Sequence, residues 1–98
     1  MAPFVHLPIH MLRIAVETDK EGSSVRMAGR LTGEYLEEAE RVCHSSGHPL
    51  LIDARELQGA DASGLEFLVR VLDGGARLEG LSQYLAMRIR LLRERRGG

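Results

Sequence analysis

The residues of this chain that could do chemistry gather in one short run, Asp61-Ala62-Ser63-Gly64-Leu65-Glu66. A serine hydroxyl becomes a nucleophile when a histidine takes its proton and an acid orients that histidine. His6, His10, His44 and His48 are the candidates for the base and Asp61 for the acid, but no spacing in the sequence ties any of them to Ser63. The Gly-x-Ser-x-Gly elbow of the hydrolases is absent, because the serine is set in Asp-Ala-Ser-Gly-Leu. A phosphate-cradling loop fares no better. Gly59 and Gly64 are correctly separated, yet Leu65-Glu66 stands where a lysine and a hydroxyl residue must follow. For a metal, Cys43, His44 and His48 offer ligand types, and the two histidines are spaced as on one helical face. Gly47 and Pro49 break that helix, and Cys43 falls on an apolar stripe, so a buried thiol with two surface imidazoles is the expectation. The residues predict no catalytic group, no metal and no cofactor, and Ser63 with Glu66 reads first as a capping box at a helix start.

The elements on either side must hold that run in place. Leu12, Ile14 and Val16 alternate with Arg13 and Glu17, which predicts a half-buried strand over 11–18. The polar stretch 19–23 contains Gly22 and predicts a hairpin into a second strand with Val25 and Met27 facing inward. Thr32 and Glu34 supply a side-chain cap and an acidic first turn for a helix over 33–45. Tyr35, Leu36, Ala39, Val42 and Cys43 form its apolar stripe, and its glutamates form a solvated face. Leu50-Leu51-Ile52 is a continuous apolar run, the mark of a central strand covered on both faces, and is expected to end at Asp53. A connection over 54–62 leads into a helix over 63–73, with Leu65, Leu68, Val69 and Leu72 inward, widened by Phe67 and Val71 and stopped by Gly74-Gly75. Residues 76–79 suit a short strand, and Ser82 a cap for a last helix carrying Leu85, Ile89 and Leu92. Residues 1–10, with Pro3 and Pro8, are a lead-in, and 94–98 a polar tail. The order predicts one α/β domain over 11–93, with a mixed, mostly parallel four-stranded sheet, an N-terminal β-hairpin and about three helices.

Composition limits what this frame can serve. With 98 residues the chain makes one domain. Its 13 basic and 14 acidic residues leave a formal net charge of −1, which supplies no field for gathering nucleic acid or an anionic membrane. Without Trp, and with two Tyr and two Phe, it lacks a base-stacking platform, so no nucleic-acid partner is expected. A single cysteine excludes an internal disulfide, no apolar run approaches the ~20 residues of a membrane span, and no cationic leader precedes an apolar stretch. The expectation is a cytoplasmic protein that is not membrane-embedded. Arg88, Arg90, Arg93, Arg95 and Arg96 read as a solvated helix end that complements its negative dipole, with contact to phosphates or an acidic partner as the alternative. Function then falls to the surface, through contact with another protein, and the free hairpin edge would allow a homodimer.

Several pieces match a known family together. They are Val25-Arg26-Met27-Ala28-Gly29-Arg30-Leu31 leading into a helix, Leu51-Ile52-Asp53 ending a strand, Asp61-Ala62-Ser63-Gly64-Leu65 opening a helix, and Gly75-Ala76-Arg77-Leu78 before Ser82. In order and spacing they resemble the STAS domain of sulfate transporters and bacterial anti-sigma factor antagonists, over Met11 to Leu92. The resemblance implies a single STAS-like domain that is not an enzyme. It implies that the serine before the glycine, Ser63 by position, is phosphorylated by an anti-sigma factor serine kinase that is also the binding partner. The unmodified form would bind that kinase and free the sigma factor, and an opposing phosphatase would reset the modified form. Asp53, Asp61, Ala62, Ser63 and Gly64 would then make the partner-binding surface, with the two acids ordering the loop and Gly64 keeping Ser63 accessible. A phosphate adds about −1.5 to −2 charges, which a helix N-terminus tolerates and a close-packed interface does not. The chain departs from many phosphorylated members at Ala62, where they carry Ser or Thr, and at Arg55 and Glu56. Some relatives of this size instead serve as accessory subunits on the ATPase of bacterial lipid-transport ABC systems, and some STAS domains bind nucleotides.

Overall fold

Alternating apolar and polar residues begin the fold. The computed structural model describes residues 12–46 and 49–97, so the lead-in 1–10 and His6, His10 and His48 lie outside the described residues. β1 (Arg13–Asp19) and β2 (Gly22–Leu31) pair antiparallel, with Ile14 opposite Met27 and Val16 opposite Val25. Asp19 steadies the two-residue turn by accepting the Glu21 N–H at 2.8 Å. A 3-10 turn, Gly33–Tyr35, then runs into α1 (Leu36–Ser45), which is followed by β3 (Leu50–Ala60). α2 (Ala62–Asp73), β4 (Arg77–Glu79) and α3 (Gln83–Gly97) complete the chain. β3 is parallel to both β2 and β4, and the strand order is β1-β2-β3-β4. This is the expected mixed α/β sheet.

Each new parallel strand is added on the same side of the last, so right-handed crossovers carry α1 and α2 over one face of the sheet. There Val25, Met27, Leu31, Leu50, Ile52 and Leu57 of the strands meet Ala39 and Cys43 of α1, Leu65, Phe67 and Leu68 of α2, and Leu85 and Ile89 of α3. Phe67 is 2% exposed, and burial of such a ring contributes about 2–3 kcal/mol. The other face carries the exposed Arg26, Arg30, Glu56, Arg77 and Glu79. Among the described residues β3 is therefore covered by helices on one face rather than two, and Leu51, on the polar side, is only half-buried.

Three boundaries differ from expectation, each for a local reason. β3 does not end at Asp53 but continues seven residues to Ala60, taking in most of the expected connection. Its register against β2 slips between Arg26 and Ala28 and again between Gly29 and Arg30, so β3 carries an extra residue at each place. Such bulges break the period of two by which a strand is recognised. α1 begins with a 3-10 turn, and α3 runs on through the polar residues to Gly97. α2 ends as Gly74-Gly75 predicts: Gly75 takes φ 102°, and the N–H groups of Gly75 and Ala76 return to the carbonyls of Leu72 and Val71 at 3.0 Å.

Candidate functional site

β2 and β3 end side by side, Leu31 opposite Ala60, and the chain leaves both strands into helical turns. Asp61 ties these exits together. Its N–H donates to the Leu31 carbonyl at 3.1 Å, and its carboxylate accepts the Gly33 N–H at 2.9 Å on one oxygen and the Gly64 N–H at 2.8 Å on the other. One side chain thus caps α2 and also satisfies the start of the 3-10 turn, 28 residues earlier in the chain. Those N–H groups, Gly33 first and Gly64 next, hold the Asp61 carboxyl below the usual carboxylate range, against a smaller opposing effect of desolvation.

The capping roles read from the sequence are corrected accordingly. Asp61, not Ser63, is the N-cap of α2, and Thr32 makes no side-chain cap at the first helical turn because Asp61 supplies that acceptor from another strand. Ser82 does cap α3, accepting the Leu85 N–H at 3.2 Å. Gly64 has a stricter duty than leaving Ser63 accessible. It is buried, and a Cβ there would run into the Leu31 carbonyl, so only glycine lets the first turn of α2 rest on the end of β2.

Ser63 is freed by this arrangement. It is exposed in the first turn of α2, and among the described residues its hydroxyl has no hydrogen-bond partner. It lies on the side of the helix turned toward Gly33, whose added Cβ would stand 3.6 Å from the Ser63 Cβ and 3.7 Å from its Oγ. Ala62, beside it, is also exposed. The structure therefore brings Asp61, Ala62, Ser63 and Gly64 together and adds Gly33 and the Leu31 carbonyl. The sequence offered one clue to Gly33, a glycine two residues past the end of β2.

Asp53 stands apart from this group. It lies seven positions before Ala60, about 20 Å along the strand, and points from the polar face of the sheet. It does accept a backbone N–H, that of Arg55 at 3.1 Å, but the segment it orders is the first bulge of β3. Arg55 also grips its carboxylate at 3.1 and 2.8 Å, and Arg26 stands 3.9 Å away. The Arg55 bond holds the Asp53 carboxyl below its ordinary range, with partial burial opposing. Arg55 and Glu56, which looked like loop residues, are part of this strand.

The other reactive side chains lie elsewhere. Cys43 is buried on the core side of α1, and burial pushes its thiol up to about 11, so it is protonated and unreactive near neutral pH. His44 is its exposed neighbour. No helix among the described residues is long and apolar enough to cross a membrane.

No family model matches the chain, and no curated protein matches it. Among solved structures it is similar to an uncharacterised protein of the DUF3478 family, described as having a SpoIIAA-like fold, from Shewanella loihica PV-4. The two are 18% identical with a TM-score of 0.46, over 90% of this chain and 82% of that one.

Proposed function

We propose that the chain is a STAS-type protein-interaction module of the anti-sigma factor antagonist kind, switched by phosphorylation of Ser63. One observation carries the reading: Asp61 holds the cap and both strand exits, leaving Ser63 exposed with no structural bond to lose. A phosphate on that hydroxyl sits in the first turn of α2, at the end of the helix whose dipole favours negative charge. The fold keeps its shape, while a partner packed over Ala62, Ser63 and Gly33 meets about two new charges that it must desolvate. The partner on this reading is an anti-sigma factor serine kinase, opposed by a phosphatase, in the cytoplasm.

The test begins with capture of the partner from the native host and mass spectrometry of the peptide that contains Ser63. Ser63→Ala is expected to bind that partner as the natural chain does, and Ser63→Asp about tenfold or more weakly. Equal binding by both variants would end the switch reading. It would favour constitutive docking, as on the ATPase of a lipid transporter.

A further inference from the structure

The sheet ends on two unlike edges. β4 is three residues long and lies between Gly75 and Gly80, both at positive φ, so that edge is short. β1 is seven residues long, contains no proline, glycine or lysine, and keeps an unbroken register with β2, since both bulges lie between β2 and β3. Among the described residues β1 pairs on one side only.

The register tells which backbone groups point outward. The two-residue turn makes Asp19 and Gly22 a hydrogen-bonded pair, and in an antiparallel ladder such pairs alternate with pairs that exchange no bonds. Thr18 with Ser23, Val16 with Val25 and Ile14 with Met27 are of the second kind, and Ser23 accordingly donates its N–H to the Pro49 carbonyl at 3.0 Å on the far side of β2. Ile14, Val16 and Thr18 therefore turn their N–H and carbonyl groups outward, with no partner for them among the described residues.

The side chains of β1 are ordered as well. Arg13, Ala15, Glu17 and Asp19 share the open face of the sheet, basic at the start of the strand and acidic at its end. Ile14 and Val16 share the helix side and are only half-buried against the core, as is Val42 of α1. Glu40 turns toward α2 through its 2.6 Å bond to Arg70, which leaves Val42, two residues on, at the side of α1 away from α2.

We infer that this edge pairs with the same edge of a second copy, antiparallel about Ala15, and joins the two four-stranded sheets into one. In that register Ile14 and Val16 exchange backbone bonds with Val16 and Ile14 of the second copy, and their half-buried side chains cover one another. Arg13 stands opposite Glu17 of the second copy, with Asp19 on the diagonal, and the small Ala15 lies on the two-fold axis, where the strands approach most closely. The order of charge along β1 is what selects a second copy: it reverses from one end to the other, so two-fold symmetry sets basic against acidic at both ends, while Lys20 and Glu21 lie beyond in the turn. Centred one residue on, at Val16, the pairing would set Ile14 against Thr18 and bring the two Glu17 carboxylates to diagonal positions.

Sedimentation equilibrium of the full chain is expected to show a dimer. Arg13→Glu and Glu17→Arg should each weaken it by about tenfold or more, and the two together should restore it to within about threefold. Within one copy these residues are four apart on a strand, about 13 Å, so rescue reports a pair between copies. Ala15→Cys should cross-link to its equivalent on mild oxidation and Glu17→Cys should not, because only Ala15 meets its own counterpart. The buried Cys43 leaves the natural chain as a blank for this measurement. A chain that stays monomeric at its highest soluble concentration, a dimer that ignores the single substitutions, weakening without rescue, or equal cross-linking at the two positions would each overturn the inference. None of these residues belongs to the Ser63 site, so the dimer and the Ser63 switch stand or fall separately.

Discussion

Asp61 joins two chain segments 28 positions apart through one carboxylate. Asparagine can keep one of its two acceptor bonds and alanine neither, so Asp61→Asn is expected to cost about 1 kcal/mol and Asp61→Ala about 2 kcal/mol in urea unfolding. Ser63→Ala should stay within about 0.5 kcal/mol of the natural chain, because its hydroxyl supports nothing in the fold. A larger loss at Ser63 than at Asp61 would restore the capping box and undo this assignment. The sequence picked out both residues and read Asp61 as ordering the loop through backbone N–H groups, but it gave the helix cap to Ser63. Ser63-x-x-Glu66 is a complete local pattern, whereas the bond from Asp61 to Gly33 spans two strands and has no local signature.

At the scale of elements, the contact that positions Ser63 is that of α2 on the end of β2. Gly64→Ala places a methyl against the Leu31 carbonyl, which is backbone and cannot swing aside. The expected result is a loss of about 2–3 kcal/mol or failure to fold, read by circular dichroism and thermal melting. An alanine variant as stable as the natural chain would mean that α2 can shift outward at little cost. The helices were legible in the sequence because Leu65, Leu68, Val69 and Leu72 keep a helical period. The far half of β3 was not. Two bulges break its alternation, and Asp53, whose carboxylate takes the Arg55 N–H within the strand, has the look of a strand end.

For the whole molecule, the net charge of −1 conceals an uneven distribution: glutamates on α1, arginines on α3 and an ion-paired open sheet face. Acid stability follows from the two carboxylates held low, Asp53 and Asp61. Groups with folded values below the unfolded one, near 3.9, stabilise fully above that value and lose the contribution as pH falls through the folded values. Melting temperature is therefore expected to be level from neutral pH to about pH 5 and to drop below about pH 4, less steeply in Asp53→Asn with Asp61→Asn. An acid limb of the same slope in that double variant would show that other groups set it.

The sequence by itself determined the α/β class, the helices, the hairpin and the neighbourhood of Ser63, because these follow from periodicity, capping residues and turn chemistry within a few positions. Only the tertiary structure decided that Asp61 holds the cap, that Gly64 is required by Leu31, that Asp53 lies a strand's length from the site, and that α3 shows an apolar side to solvent. Each depends on which segments the parallel pairing of β2 with β3 and the packing of α2 on α3 bring together, and that proximity is not written in any local spacing.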